Sequence, residues 1–258
     1  MDMRASAGGG FVHGLAREIL ASSSVVPRPA KVKRIGRELQ SLAAGALPET
    51  PAAAIFVRAD ESRSDVLKAL ISGPTGSPYA LGLYEFDIFL PDSYPETPPL
   101  VKFKTTGNGL VRLNPNLYCD GKVCLSILGT WHGEPWNPRS STLLQVLVSI
   151  QSLILVPQPY FNEPGYQIHQ GSEEGLRRSR QYDDAIHLHN IRLAMTAHLR
   201  EPPLGFGDVV AAHFSQLAGP VLDMCAAWGR EATSQEMRNE IAAAAAALRD
   251  AMDKTHSI

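Results

Sequence analysis

The chain has 258 residues, of which 44% are apolar and 19% charged, with a formal net charge of −2. That balance supports one sizeable core with appended elements rather than two full domains, and it leaves no basic surface of the kind nucleic acid requires. Three cysteines, Cys119, Cys124 and Cys225, are an odd and sparse set that excludes a disulfide scaffold and fits a reducing compartment, cytosol or nucleus.

Taken from the N-terminus, residues 1–30 carry Gly8-Gly9-Gly10, Ser22-Ser23-Ser24, Pro27 and Pro29, and are expected to be mostly flexible. No secretory leader is expected: the apolar stretch 14–20 is short and holds Arg17 and Glu18. Residues 31–44 place Val32, Ile35, Leu39 and Leu42 at helical spacing, with Lys31, Lys33, Arg34 and Arg37 off that face. This predicts an amphipathic helix whose basic side is either a solvated face or a dock for an acidic partner. Three strands are predicted next, over 66–72, 83–90 and 101–105. In the second, Tyr84, Phe86, Ile88 and Leu90 alternate with Glu85 and Asp87; in the third, Val101, Phe103 and Thr105 alternate with Lys102 and Lys104. Short links between them imply an antiparallel meander.

Beyond Trp136-Asn137-Pro138, Ser140 or Ser141 is expected to cap a helix running to about residue 156. Its stripe of Leu143, Leu147, Ile150 and Ile154 marks a central buried helix, apolar almost all round and too short to span a bilayer. Pro157 and Pro159 end it. Further helices are predicted near 180–200, 207–228 and 234–253, with packing stripes of Leu188, Ile191, Met195, Leu199 and then Val210, Phe214, Leu217, Val221. Neither an internal repeat nor a phosphate-binding glycine motif is present.

Chemistry concentrates at Asn114-Pro115-Asn116, followed eight residues later by Cys124 in an apolar run. A thiol can become a thioester, and an amide on a proline-stiffened turn can donate to the oxyanion formed when that thioester is attacked, so the pair points to acyl transfer. Read singly, Cys124 is equally a small buried hydrophobe, and Asn116 a turn residue. A zinc site through Cys119, Cys124 and His132 lacks the further ligands it would need nearby, and no metal is expected. A cysteine hydrolase needs a histidine beside the thiol, and none occurs within seven residues of it in sequence.

The order of parts resembles the ubiquitin-conjugating (E2) family over residues 31 to about 200. The matching residues are Lys33-Arg34-Ile35 with Glu38-Leu39, Gly73-Pro74, Tyr94-Pro95 with Pro98-Pro99, Pro115-Asn116 with Cys124, and Trp136-Asn137-Pro138. Residues 114–118, 121–128, Thr130-Trp131 and 162–166 are similar to a large-E2 subgroup. It includes the E2 domain of the giant inhibitor-of-apoptosis E2/E3 hybrids and the free-standing E2 that also loads a tandem ubiquitin-like modifier.

That resemblance implies an α+β UBC fold: N-terminal helix, four-stranded antiparallel meander, central buried helix and C-terminal helices. Residues 1–30 precede the core domain of 31–200, and 201–258 form an added helical extension. It further implies that Cys124 takes ubiquitin, or a ubiquitin-like modifier, from an E1 and passes it to a protein lysine or to the cysteine of an E3. No cofactor is implied beyond the ATP that the E1 consumes. Asn116 is implied as oxyanion or turn amide, and Glu163 as the carboxylate that positions the lysine. Lys33, Arg34 and Arg37 are implied as the E1-binding face, and Glu96 and Pro138 as E3-contact positions, Glu96 standing where an aromatic anchor is common. Asn114 replaces the usual opening histidine of the turn, and residues 131–135 lengthen the segment beside the site. An inactive scaffold is the competing reading.

Overall fold

The computed structural model describes residues 13–22, 28–50 and 53–255; the other residues expected to be flexible, 1–12 and 23–27, lie outside them. Strands β1 (Ile55–Ala59), β2 (Val66–Ser72), β3 (Leu83–Phe89) and β4 (Leu100–Phe103) form one antiparallel sheet in that order. The sequence patterns predict the last three; β1 was implied only by the four-strand resemblance. Registers such as Val57 opposite Ala69 and Ala69 opposite Phe86 put Leu67, Ala69, Ile71, Tyr84, Phe86 and Ile88 on one face. Against that face lies α3 (Leu143–Ser149), extended by a wider π-type turn to Ile154. Its predicted stripe, Leu143, Leu147, Ile150 and Ile154, is fully buried. The outer side is less apolar than expected in its setting: Val148 and Leu153 are exposed.

The cap of α3 is Thr142, one residue beyond the predicted serines. Its hydroxyl accepts from Gln145 N while the Gln145 side chain accepts from Thr142 N, a reciprocal pair that satisfies two otherwise orphaned donors. Ser141 is used elsewhere, its Oγ accepting from Asn137 N at 2.9 Å. Thr142→Ala is expected to lower unfolding free energy by about 1 kcal/mol, measured by urea denaturation, because only the Gln145 half of the box survives.

Helix α2 (Pro29–Ser41) is rotated from the predicted face. Val32 is exposed, whereas Lys31 is 1% exposed and donates to Asp65 at 2.7 Å. Glu38 is buried too: Tyr94 Oη and Arg34 Nε donate to its Oε1, and Leu143 N donates to Oε2 at 2.6 Å. A carboxylate at the start of α3 is favourable for both charge and hydrogen bonding. Polar residues on the buried stripe are therefore matched by partners from β2, the Tyr94 loop and α3, which the helical pattern by itself does not reveal.

The opposite sheet face is covered twice. A short helix α1 (Ala16–Ser22) packs Leu15 and Ile19 on Val66 and Phe89, so residues 13–22 are ordered and docked rather than flexible as expected. Beside it Lys68 is buried between Glu85 and Asp87, at 2.6 and 2.5 Å. Burial would depress that ammonium, but the two carboxylates outweigh it and raise its pKa. His13 donates from Nε2 to Leu67 O, and burial holds its ring neutral despite Asp87 at 3.8 Å.

The C-terminal half covers the rest of that face. Helix α4 (Glu173–His189) runs on through 190–197 into α5 (His198–Arg200). After it come α6 (Gly207–Gln216), α7 (Ala218–Glu231) and α8 (Gln235–Thr255). The predicted single helix 207–228 is two, bent by 72° at Leu217, with Pro220 accommodated in the first turn of the second. Ile191, Met195, Phe206, Phe214, Val221 and Leu248 bury themselves against Leu70 and Leu83 of the sheet. The extension thus shares its core with the long helix that precedes residue 200.

Candidate active site

The turn at 114–117 is built around a wholly buried Asn114. Its amide donates to Tyr79 Oη at 2.9 Å and to Ile154 O at 2.8 Å, and its Oδ1 accepts from Asn116 N at 2.7 Å. One side chain therefore ties the turn to the β2–β3 loop and to the end of α3, where helical carbonyls lack partners. From that anchor, Asn116 and Cys124 are bracketed by two bonds: Cys124 N donates to Asn116 O at 2.9 Å, and Asn116 Nδ2 donates to Cys124 O at 3.0 Å. The return between them turns at Gly121, whose φ of +91° and close approach to Phe103 O exclude a larger residue. Past the cysteine, Thr130 Oγ1 donates to Val123 O at 2.7 Å and accepts from Leu125 N at 3.0 Å.

Cys124 lies on the wall of an open groove of about 970 Å³, together with Asn116, Trp131, His132, Leu153 and Asn162. Its sulfur is more recessed than a freely reachable thiol: the residue is 1% exposed. The inserted 131–135 segment folds back here, with Gly133 at φ +127° so close to Ser126 that a Cβ would stand 3.0 Å from that residue's Cβ. The Trp131 and His132 rings pack together, centres 4.9 Å apart and planes tilted by 33°.

Burial raises the Cys124 pKa above the ordinary thiol value of 9.0; Lys122 and Arg112 oppose the rise and Asp120 adds to it. The thiol is therefore less ionised at neutral pH than an ordinary cysteine. With exposed Cys119 replaced by serine, iodoacetamide alkylation of Cys124 is expected to accelerate about tenfold per pH unit between 7 and 8.5. A plateau below pH 8 would contradict this electrostatic setting.

The structure brings Asn116 to Cys124, but not every expected residue. Glu163 sits between Asn162 and Pro164, which line the groove, yet pairs with Arg112 at 3.3 Å and is 35% exposed. Arg112 also donates to Pro115 O at 2.6 Å and covers the Tyr118 ring. On α2, Lys33 and Arg37 are exposed, whereas Arg34 turns inward, donating to the carbonyls of Pro138 and Ser141 as well as to Glu38. That side chain joins α2 to the 137–141 loop instead of standing free for an acidic partner. Glu96 is exposed and Pro138 half-buried; between their loops Trp136 Nε1 donates to Pro95 O at 2.6 Å.

Sequence reading did not single out Arg112 or Asn162 for the site, and met His132 only as a rejected zinc ligand and within the lengthened 131–135 segment. Asn162 next to Glu163 was the available signal, since a one-residue shift exchanges which of the two faces the groove. Among the described residues, no group of three or more His, Cys, Asp or Glu is placed to hold a metal ion.

The family profile of the ubiquitin-conjugating enzymes matches residues 34–186. The chain is 48% identical over 202 residues to the human dual E2 ubiquitin-conjugating enzyme/E3 ubiquitin-protein ligase BIRC6, covering 77% of this chain and 4% of that protein. It is 50% identical over 201 residues to the probable ubiquitin-conjugating enzyme protein 17 of Caenorhabditis elegans, covering 77% and 27%. To the probable ubiquitin-conjugating enzyme E2 25 of Arabidopsis thaliana it is 50% identical over 182 residues, covering 69% and 29%. The chain thus spans less than a third of the length of each of these relatives, and the likeness is to an E2 of the large type.

Proposed function

The chain belongs to the ubiquitin-conjugating enzyme family, and on that premise we propose that it accepts ubiquitin or a ubiquitin-like modifier from an E1 as a thioester on Cys124. From there the acyl group passes to a substrate lysine or to an E3 cysteine. The observation that best supports this is the two-bond bracket between Asn116 and Cys124 on the wall of an open groove. A thioester is already activated, so what limits transfer to lysine is the amine: neutralising a side chain of pKa near 10.4 at pH 7 costs about 4.6 kcal/mol. A partly desolvated groove reduces that demand. In this reading Glu163 meets the incoming amine at the groove's edge, exchanging its Arg112 partner for the new cation.

No cofactor is needed on the chain itself, ATP being consumed by the E1. Lys33 and Arg37 supply the basic face for that partner, and Glu96 and Pro138 stand on the loops facing an E3; the setting is cytosol or nucleus. The recessed sulfur favours one rival, a non-catalytic E2-like scaffold. Incubation with E1, ATP and ubiquitin, repeated with a panel of E1s and modifiers, separates the two. An adduct cleaved by reductant is expected, and its absence with every modifier leaves the scaffold.

A further inference from the structure

A second cavity, of about 340 Å³, lies where the 75–81 loop, α4 and α7 meet, with Pro157 lining both it and the groove. That volume is within the ordinary range of ligand pockets, about 300–1,000 Å³. Its apolar walls are Leu81, Met224 and Trp228; its polar lining includes Asp183, His187 and Glu231, and no lysine or arginine. Asp183 and His187 each also carry one atom, Oδ1 and Nδ1, that is closed off from solvent and has no hydrogen-bond partner among the described residues. They stand four residues apart on α4, on one helix face. The lining itself carries two carboxylates, Asp183 and Glu231, and no cation of its own, which complements a cationic side chain.

The walls are held in place independently of any ligand. Asn190 Nδ2 donates to Pro78 O and Ala80 O at 3.2 Å each, fixing the loop. Neighbouring Asp184 accepts from Thr233 N and Oγ1 at 2.8 and 2.6 Å, fixing the α7–α8 connection to α4. His187 is stacked on the Trp228 indole, ring centres 4.2 Å apart and 12° from parallel, so both rings are oriented. Asp184 therefore has a structural task, whereas Asp183 has no hydrogen-bond or ion-pair partner among the described residues.

We propose that this cavity, formed jointly by the E2 core and the helical extension, binds the side chain of an arginine presented by a partner protein. The aliphatic stem fits the Leu81, Met224 and Trp228 walls. The guanidinium offers five donors in a planar fork, suited to the two separated carboxylates of Asp183 and Glu231 in a way that a single ammonium is not. The inference stands apart from the thioester chemistry and gives the extension a recognition role.

Titration sharpens the test. Asp183 is pushed up to about 7 by burial and by the charge of Asp184. The titratable groups facing it are Tyr182, Asp184 and His187 on α4, Tyr79 from the loop side and Glu231 from α7. His187 is held down to about 4 by burial and stays neutral above pH 6. A cation binds the ionised carboxylate, so affinity rises as pH rises through 7, the ionised fraction going from about one-tenth at pH 6 to about nine-tenths at pH 8.

The full chain labelled with 5-fluorotryptophan gives three ¹⁹F resonances, for Trp131, Trp136 and Trp228, that of Trp228 being assigned from Trp228→Phe. Titration with N-acetyl-arginine amide is expected to shift the Trp228 signal saturably in the millimolar range. N-acetyl-citrulline amide, equal in shape but uncharged, and the Asp183→Asn protein should each show affinity about tenfold weaker or more, as expected for losing a charge-assisted bond. Affinity of the unmodified protein should rise several-fold from pH 6 to pH 8. A Trp228 signal that does not saturate, an equal response to the citrulline probe, or a flat pH dependence overturns the proposal. Should Asp183→Asn unfold, the citrulline and pH arms still decide it.

Discussion

Cys124→Ala, incubated with E1, ATP and ubiquitin, is expected to form no adduct at all, whereas Cys119→Ala forms as much as the unmodified protein. The contrast rests on where the three thiols stand. Cys225 is buried among the extension helices, and burial pushes its pKa up to about 12, so it is neither reachable nor ionised. Cys119 is exposed but lies outside the groove lining and beyond the bracket that holds Cys124. Exposure by itself would favour Cys119 as the acceptor, and so makes it the stringent control. Loss of one sulfur at a groove wall leaves the core intact, so the melting temperature of Cys124→Ala should fall by no more than a few degrees. An adduct persisting in Cys124→Ala, or vanishing in Cys119→Ala, would reassign the acceptor. The recessed setting adds a kinetic expectation. Because the thiol is protonated at neutral pH, charging should accelerate as pH rises toward 8.5, provided the E1 itself is not limiting.

Legibility of the sequence followed how far each element's environment differed on its two sides. Strand β3 and helix α3 present one clearly apolar stripe to the core, and their periodicity marked them. Strand β1 did not stand out: Ile55, Phe56 and Val57 are consecutive apolar residues because Ile55 and Val57 face one core cluster while Phe56 faces the other. Helix α2 was placed but rotated, since Lys31 and Glu38 are charged residues on a buried stripe and their partners come from 34 to 105 residues away. Helix α1 is seven residues long within glycine- and serine-rich surroundings, and distant residues define it: packing on Val66 and Phe89, and the Arg63 guanidinium donating to Ile19 O and Ser22 Oγ. The Asn116–Cys124 spacing was informative because a short return through a glycine turn must bring the two strands of that return together. Trp131 and His132 belong to the 131–135 segment that the resemblance placed beside the site, and Asn162 to the matching 162–166 stretch, but the meeting of these side chains in one groove depends on tertiary contacts that no local pattern encodes.

Asn116→Ala is expected to slow discharge of the charged protein onto free lysine by about 10²–10³-fold, the usual loss when an oxyanion donor is removed. The carboxamide has two hydrogens. One is committed to the Cys124 carbonyl at 3.0 Å, which makes the residue part of the turn; the second has no partner among the described residues and could serve the acyl oxygen of a thioester on the neighbouring sulfur. Two measurements separate these duties. Alkylation of Cys124 by iodoacetamide reports the position and ionisation of the thiol but involves no oxyanion, whereas lysine discharge requires both. If the free hydrogen stabilises the oxyanion, Asn116→Ala should reduce discharge by two to three orders of magnitude and alkylation only a few-fold. If the amide merely holds the turn, the two rates should fall together. Asn116→Asp extends the comparison: a carboxylate has no hydrogen for either acceptor and faces the Cys124 carbonyl with like polarity, so it should discharge no faster than alanine despite its closer shape. Faster discharge by the aspartate variant than by the alanine variant would show that shape, not donation, is what position 116 contributes.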